Sequence, residues 1–536
     1  MSTSHELLPQ TGDQPAGPRP GGRRLPRPWL AAWVIGVAAA FTAYLRLAGT
    51  QPVNSDGASN ALQAWDMLHG NVALAGWTLS DVSFYTTELP QYMLVELVRG
   101  LNTDVVHVAA AMTYTLVVLF AALLAKGAAT GREALTRVLV AAGIMLGPQL
   151  ASGVNVLVSS PDHVGTSVPV MAAWLLLDRA GRRWYVAVAA AALLGWAAVA
   201  DTLVLYIGVL PLVLVCAVRV YRATVIDRAP LASQRYEITL GVSALFAGAL
   251  AEATLGLIHG LGGFFVSAPA TQFAQGTTIV NHNLAVAAEG LLLLGGANFL
   301  GLPLTGITAF TLLHVVGVIL AAGALWLAAR RFLRDLGLVD QVLVAAILIN
   351  LVSYVLSTHA SSLASTRQIA AVLPFGAALA GRLLGRRLMT AGLVPVLAAV
   401  LAGYLVGLGY EARQPPAPDQ NRELASWLAA RHLHAGLSGY WEANVVTLAS
   451  GGRVQIRAVL PAHGRVAPYA WESNAAWYDP RGASANFVVL FPERPGYPGL
   501  IDTQAVRATF GPPARTYQFG PYTVLTWNKN ILADLH

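Results

Sequence analysis

Long apolar runs separated by short, arginine-rich polar segments fill the chain up to about residue 410. A run of about 20 apolar residues has the length of a helix that crosses the hydrocarbon core of a bilayer. The pattern therefore predicts about eleven transmembrane helices. They are expected near residues 29–47, 105–125, 136–157, 164–178, 184–200, 202–219, 237–258, 306–329, 339–358, 368–384 and 389–409.

Basic residues set the predicted orientation, because cytoplasmic loops carry an excess of Lys and Arg. One apolar segment, Leu284 to Leu304, breaks the alternation, since counting it as a span would place Arg330 outside. We interpret it as an interfacial or re-entrant helix inside a long external loop. The basic groups that share the cytoplasmic side are Lys126/Arg132/Arg137, Arg179/Arg182/Arg183, Arg219/Arg222/Arg228, Arg330/Arg331/Arg334 and Arg382/Arg386/Arg387.

The two ends of the chain differ from the apolar body in residues 28–410. Residues 1–27 are rich in Pro, Gly and Arg, which predicts a disordered cytoplasmic tail. Residues 411–419 form a proline-rich linker, and residues 420–536 have the polarity of a small extracytoplasmic α/β domain. Within that domain the patterns predict helices at Arg422–Leu433 and Thr503–Phe510, strands at 454–459 and 486–491, and a hairpin at Tyr517–Trp527.

Composition supports a membrane protein, with 55% hydrophobic and only 11% charged residues against about 25% charged in ordinary soluble domains. The net charge of +7 is explained by the loop arginines, so nucleic-acid binding is not expected. Cys216 is the only cysteine and cannot form an internal disulfide. The chain is expected to be a multi-pass plasma-membrane protein with its N-terminus inside and its C-terminal domain outside.

The first external loop, residues 49–104, is the richest in candidate chemistry. Ser55 is a plausible N-cap for an amphipathic helix lying along the membrane surface. Asp56 and Asn60 share its polar face with Gln63. A carboxylate at a helix N-terminus stays ionised and can accept a proton, so Asp56 is either a general base or a helix cap.

Three further positions on the outer side carry alternative interpretations. Asp162 and His163 can orient a phosphate, ligate a metal or cap the next span, although adjacent Asp and His do not match the spacing of a closed metal site. Asp201, at the start of the sixth span, either faces a polar cavity or anchors the helix at the interface. Arg367 opposes the positive-inside bias, so it either binds phosphate or reaches the lipid headgroups.

Several of these features together resemble the GT-C glycosyltransferases, multi-span enzymes that use polyprenyl-phosphate sugars. The resemblance is carried by the large first loop with Asp56, by Glu88-Leu-Pro-Gln-Tyr later in it, by the acidic second loop, by Thr366-Arg367 opening a late span, and by the α/β tail. It implies that Asp56 is the catalytic base and that Arg367 meets the lipid-linked phosphate. Asp162, His163, Asp201, Asn60 and Glu88 are then candidate substrate-binding residues.

Gly57 follows Asp56, and no Asp-x-Asp stands in the second loop, where many family members have paired acidic residues. No metal ligand is therefore assigned, and a divalent cation stays undecided. The resemblance implies inverting transfer of a hexosyl or pentosyl group from a polyprenyl-phosphate donor to an extracytoplasmic glycan, lipid or protein. The alternatives are a transporter or lipid flippase, for which no internal repeat is seen, and a non-catalytic cell-envelope assembly protein.

Overall fold

A computed structural model describes residues 27–146, 152–269, 271–303, 305–491 and 501–535. The predicted cytoplasmic tail lies outside the described residues, apart from Arg27. The helices are α1 Arg27–Ala48, α2 Ser55–Leu68, α3 Glu88–Arg99, α4 Asp104–Lys126, α5 Gly131–Met145, α6 Ser152–Leu157, α7 Ser167–Arg179, α8 Trp184–Ala200, α9 Leu210–Tyr221, α10 Arg235–Gly260, α11 Thr277–Leu294, α12 Thr311–Arg331, α13 Leu338–Val355, α14 Val372–Thr390, α15 Val394–Glu411, α16 Gln420–Ala430, α17 Tyr440–Ala449 and α18 Thr503–Phe510.

The chain is a multi-pass membrane protein. Within the described ranges, eight helices are long and apolar enough to cross a bilayer, namely α1, α4, α9 with its π-helical extensions, α10, α11, α12, α13 and α15. A ninth is the pair formed by the 3₁₀ turn Leu363–Ile369 and α14, bent by 54°. The expected eleven also counted α5, α7 and α8, which have 15, 13 and 17 residues and are short for a perpendicular crossing.

The helix in the region of the segment expected at 284–304 begins and ends earlier than predicted, and its interpretation as interfacial or re-entrant stays a prediction, because length and apolarity do not decide it. The helix α11 begins at Thr277 and ends at Leu294, and it meets the same length and apolarity criteria as the other candidate spans. It packs against the turn Leu363–Ile369, where a Cβ on Gly290 would clash with the Cγ2 of Thr366. Glycine at this position therefore lets α11 approach the segment that carries Arg367.

The strands in the described residues are β1 Trp77–Leu79, β2 Phe265–Val266, β3 Ala435–Ser438, β4 Gln455–Ala462, β5 Arg465–Pro468, β6 Ser473–Asn474, β7 Phe487–Leu490, β8 Arg515–Phe519 and β9 Tyr522–Thr526.

The C-terminal domain is a six-stranded mixed sheet in the order β5-β4-β3-β7-β9-β8. Alternate residues of β7 enter two cores: Phe487 and Val489 pack with α16 and α17, and Val488 and Leu490 pack with α18. The predicted helices, strands and hairpin are confirmed, whereas β3, β5 and α17 were not predicted.

The expectation that α2 lies along the membrane surface is wrong. The helix packs between α3 and α17, and most of its residues are buried. The Oγ of Ser55 donates to the backbone oxygen of Tyr440 at 2.5 Å, and the Oγ of Ser59 donates to that of Glu472 at 3.3 Å. A small sheet, in which β1 pairs with β2 and β6, adds a second connection between the first loop and the domain. The C-terminal domain is thus fixed directly on α2.

Arg382 joins four helices of the bundle. Its guanidinium donates to Asp178 at 2.9 Å and to the carbonyl of Leu124 at 2.9 Å, and it also pairs with Asp340. Removing one partner of a buried ion pair leaves uncompensated charge. We expect Arg382→Ala to lower the free energy of unfolding by about 3 to 5 kcal/mol, measured by detergent-titration unfolding of the purified protein.

The matched control for this prediction is Arg386→Ala, because Arg386 is exposed on the same helix. Exposed single charges contribute little to stability, so this variant is expected to unfold like the wild type. Equal unfolding curves for the two variants would show that the Arg382 cluster does not hold the helices together.

Candidate active site

Asp56 lies at the start of α2 between an arginine and a tyrosine from distant parts of the chain. Its Oδ2 accepts from the Nη1 of Arg367 at 3.2 Å, and its Oδ1 accepts from the hydroxyl of Tyr440 at 2.7 Å. The N-cap of α2 is Asn54, whose Oδ1 accepts from the backbone N–H of Gly57 at 2.8 Å. Asp56 is therefore not the cap, and its carboxylate, 18% exposed, is available to the site.

Arg367 is held by the 3₁₀ turn Leu363–Ile369 at the bend before α14. The Nδ2 of Asn350 donates to the backbone oxygen of Gln368 at 3.1 Å and fixes this turn on α13. The Arg367 side chain is 38% exposed, and within the described residues only its Nη1 makes a hydrogen bond, to Asp56. The remaining N–H groups leave donors for an anionic ligand.

Asp162 stands beside Asp56 and is bound to the same helix. Its Oδ1 accepts from the Nδ2 of Asn60 at 2.8 Å, and its Oδ2 accepts from the Oγ of Ser160 at 2.7 Å. Burial raises the pKa of Asp162, and the nearby charge of Asp56 raises it further. Asn60 is one helical turn after Asp56, so α2 positions two acidic groups of the site at once.

A buried hydrogen-bonded chain runs from His163 to Glu88. The Nδ1 of His163 lies 2.8 Å from the Oδ2 of Asp201, which also accepts from the Oγ1 of Thr166 at 2.9 Å. The same hydroxyl lies 3.4 Å from the Oε1 of Glu88. Burial alone would raise the pKa of Asp201, but the His163 charge and these hydrogen bonds hold that pKa below its ordinary value. Burial raises the pKa of Glu88.

His163 has a backbone φ of +61°, a conformation that non-glycine residues rarely adopt. Such strain persists where the surrounding structure enforces it, and it concentrates at functional sites. The Nε2 of the ring lies 3.1 Å from the Nε2 of Gln368, next to Arg367 in sequence. The second-loop histidine is thereby connected to the segment that carries the arginine.

Tyr440 and Glu472 were not predicted as site residues. The Tyr440 hydroxyl lies 2.7 Å from Asp56 and 2.5 Å from the Oε2 of Glu472. A phenol has one proton and cannot donate to two carboxylates together, so one of the acids holds a proton. Burial, and next the charge of Asp56, raises the pKa of Glu472 well above its ordinary value. We assign the proton to Glu472, which donates to Tyr440 while Tyr440 donates to Asp56.

These groups surround a cavity of about 550 Å³ between the helical bundle and the C-terminal domain. Of the predicted residues, Asp56, Asp162, His163 and Arg367 line it. The other three predicted residues, Asn60, Asp201 and Glu88, are buried and hydrogen-bonded through the chains described above. Among the described residues, no three His, Cys, Asp or Glu side chains could hold one metal ion. The divalent cation left undecided by the sequence has no ligand set in that part of the chain.

The fold resembles that of a solved membrane protein. No family model and no curated protein matches the sequence. The structure of ArnT from Cupriavidus metallidurans bound to undecaprenyl phosphate aligns with a TM-score of 0.53 and 13% identity, covering 94% of this chain and 99% of ArnT. Its apo state gives a TM-score of 0.53 and 14% identity, covering 95% and 99%.

The apo oligosaccharyltransferase from Archaeoglobus fulgidus aligns with a TM-score of 0.47 and 12% identity, covering 86% of this chain and 69% of that protein. The similarity to ArnT extends over nearly the whole of both chains and includes the C-terminal domain. The chain thus shares the fold of ArnT, a helical membrane body with a small C-terminal α/β domain, and this is the architecture that the sequence predicted.

Proposed function

We propose that the chain is a membrane glycosyltransferase that moves a sugar from a polyprenyl-phosphate donor to an acceptor hydroxyl. The observation that carries the proposal is the pairing of Asp56 with Arg367 in one cavity, although the two residues are 311 positions apart. A base and a phosphate partner side by side are what displacement at an anomeric carbon requires. ArnT, which has this fold, binds undecaprenyl phosphate, and we infer a donor lipid of the same class.

The proposed reaction is one inverting displacement. Asp56 accepts the proton of the acceptor hydroxyl while the hydroxyl oxygen bonds to the anomeric carbon. The bond from that carbon to the phosphate oxygen breaks, and the polyprenyl phosphate leaves as an anion stabilised by Arg367, with His163 beside it. The carboxylate of Asp56 has about four lone-pair sites and uses two of them for Arg367 and Tyr440, so it keeps room for the proton.

The site also bears on the competing classes of function. Transporters place their substrate near the middle of the membrane, between paired repeats. Here Asp56, Asp162, His163 and Arg367 gather under the C-terminal domain, at one end of the bundle. The loop arginines follow the positive-inside rule if that end faces outwards, which gives a cytoplasmic N-terminus and an extracytoplasmic C-terminal domain in the plasma membrane.

The test uses the full-length chain in lipid vesicles with polyprenyl-phosphate sugars labelled in the sugar, and a cell-envelope glycan and lipid extract as acceptor. Release of free polyprenyl phosphate together with a labelled product supports transfer. Movement of intact donor across the vesicle membrane would identify a flippase instead. If neither transfer nor donor movement is seen with any hexosyl or pentosyl donor, the remaining class is a non-catalytic assembly protein.

The protonated Glu472 should give the transfer reaction a distinctive pH dependence. The groups that face Glu472 are Asp56 on α2, Asp162 in the second loop and Tyr440 on α17. When pH rises through its raised pKa, it ionises and competes with Asp56 for the Tyr440 proton. We expect wild-type transfer to fall on that alkaline limb, and Glu472→Gln, which keeps a donor but does not titrate, to lose that fall.

Tyr440→Phe removes the hydrogen bond to Asp56 and is expected to slow transfer by about 10- to 100-fold, since bonds to charged groups contribute about 1.5 to 3 kcal/mol. Tyr517→Phe in the same domain is the control.

The stability of the folded protein should also depend on the titration of Glu472. Above the ordinary pKa of 4.5 the unfolded chain has lost the proton that folded Glu472 retains, so unfolding becomes easier as pH rises. Identical pH profiles for the wild type and Glu472→Gln would contradict the assigned proton.

A further inference from the structure

One wall of the cavity is aromatic and belongs entirely to the C-terminal domain. We call it the aromatic wall: Trp441 on α17, and Tyr469 and Trp471 in the segment after β5. The three rings are partly buried against the domain core, so each also keeps accessible surface. The stretch 459–461 of β4 continues this side of the cavity with Val, Leu and Pro. Neither the proposed base chemistry nor the donor phosphate uses these side chains.

The aromatic wall adjoins the base through Tyr440. The Tyr440 ring makes edge contacts with Trp441 and with Tyr469, with centroids 5.3 Å apart in both pairs. The hydroxyl of the same ring lies 2.7 Å from Asp56. A ligand lying on Trp441 or Tyr469 would therefore adjoin the ring whose hydroxyl binds the carboxylate that accepts the proton. The contacts also hold the rings in place before any ligand binds.

Charge restricts what the cavity can accept beside that wall. Its ionised carboxyl groups are Asp56, Asp81 and Asp162, Glu472 is protonated and uncharged, and its basic groups are Arg367 and His163. Arg367 is already paired with Asp56 and is assigned to the leaving phosphate of the donor. A second anionic group would face carboxylates without a free basic partner, and like charges repel strongly at partly buried sites. The acceptor end of the cavity thus favours an uncharged ligand.

A sugar ring has the required surface. One face of a pyranose or furanose presents C–H groups that pack on the negative face of an aromatic ring, and its rim presents hydroxyls. A lipid chain would gain nothing from the carboxylates, and a lone Ser or Thr side chain would not reach across three rings. The volume of about 550 Å³ falls within the range of about 300 to 1,000 Å³ of small-molecule sites.

We propose that the acceptor is an uncharged saccharide, which stacks a ring on the aromatic wall and turns one hydroxyl towards Asp56. The role of that hydroxyl rests on the proposed glycosyl transfer, whereas binding of the saccharide does not. The C-terminal domain then selects the acceptor and contributes the side chains that touch it. This goes beyond a general acceptor by excluding phosphorylated and acidic ones.

The test measures binding without turnover, by saturation-transfer-difference NMR on the full-length protein in nanodiscs. The probes are neutral trisaccharides of mannose, glucose, galactose and arabinose, together with mannose 6-phosphate. We expect at least one neutral trisaccharide to receive saturation at its ring C–H protons, and mannose 6-phosphate to receive none. Signal from no neutral trisaccharide, or equal signal from the phosphorylated sugar, would overturn the proposal.

Variants locate the binding. Trp441→Ala and Trp471→Ala are each expected to weaken binding by about 2- to 10-fold, from the worth of one aromatic contact, while Trp471→Phe keeps most of it. Trp427→Ala is the matched control, because Trp427 is a partly buried tryptophan of the same domain that does not line the cavity. Binding that is unchanged in both alanine variants would place the saccharide elsewhere and refute the aromatic wall as its site.

The two proposals fail in different ways. Asp56→Asn should still bind the neutral trisaccharide, because stacking does not need the base. If wild-type protein binds the saccharide but releases no polyprenyl phosphate from any donor, glycosyl transfer is wrong and the saccharide site stands. If donor is consumed but the tryptophan variants transfer to acceptor like the wild type, glycosyl transfer stands and the saccharide site on the aromatic wall is wrong.

Discussion

Replacing Asp56 by asparagine is expected to lower sugar transfer by about 10²- to 10⁴-fold, the usual contribution of a positioned general base. Asparagine has nearly the same shape, so its amide oxygen can still accept from Arg367 or Tyr440. It cannot accept the proton of the acceptor hydroxyl. The rate of polyprenyl phosphate release at saturating donor measures the loss, and the donor affinity should change far less.

The control for Asp56→Asn is Asp104→Asn, which removes another carboxylate of the loop region 49–104. Asp104 is exposed, and its ion pair with Arg99 joins two exposed side chains. Such pairs contribute about 0 to 1 kcal/mol, so neither stability nor transfer should change. An Asp56→Asn protein that folds and transfers at a near-normal rate would remove Asp56 as the base.

The helical body could be predicted from the sequence because the bilayer imposes one simple rule on it. Long apolar runs with basic ends gave the positions of most helices within a few residues. The rule was less accurate where the chain departs from perpendicular crossings. The helix α7 has only 13 residues, and a 54° bend separates residues 363–369 from α14. A hydropathy window reports neither a short span nor a bend.

The candidate site was predicted only on its membrane side. Charged groups at the ends of spans are costly in lipid and usually face a polar cavity, which made four residues recognisable: Asp56, Asp162, His163 and Arg367. Tyr440 and Glu472 lie in a domain of ordinary polarity, where a tyrosine and a glutamate are unremarkable. The signal available for Glu472 was a single acid among aromatic residues, Tyr469-Ala-Trp-Glu. What gives it meaning is the docking of the domain on α2, a contact between positions more than 400 residues apart.

The same docking explains why α2 was assigned to the wrong surface. Its apolar residues at Ala58, Leu62, Trp65 and Leu68 have the spacing of a membrane-surface helix, and periodicity alone cannot distinguish lipid from protein as the apolar partner. The buried polar residues Ser59 and Asn60 distinguish the two cases in the structure. Both are satisfied by protein groups, Ser59 by the backbone of Glu472 and Asn60 by Asp162.

Arg367 carries the second large effect. We expect Arg367→Gln to slow transfer by about 10²- to 10³-fold, the cost of removing one preorganised group that stabilises charge developing on the leaving phosphate. Arg367→Lys restores the charge but not the fork of donors that fits two phosphate oxygens, so it should recover only part of the rate. Arg465→Gln, an exposed arginine at the start of β5, is the control and should transfer like the wild type.

Two readouts separate this phosphate role from a structural one. The Arg367–Asp56 pair is partly exposed, so its loss should change the free energy of unfolding by no more than about 1 kcal/mol. Inhibition of transfer by free polyprenyl phosphate should weaken in Arg367→Gln, because the product has lost its partner, while neutral trisaccharide binding should not change. If inhibition stays at the wild-type level while transfer falls, Arg367 acts only by orienting Asp56. The phosphate must then be bound by other groups of the cavity, and His163 is the remaining basic residue that lines it.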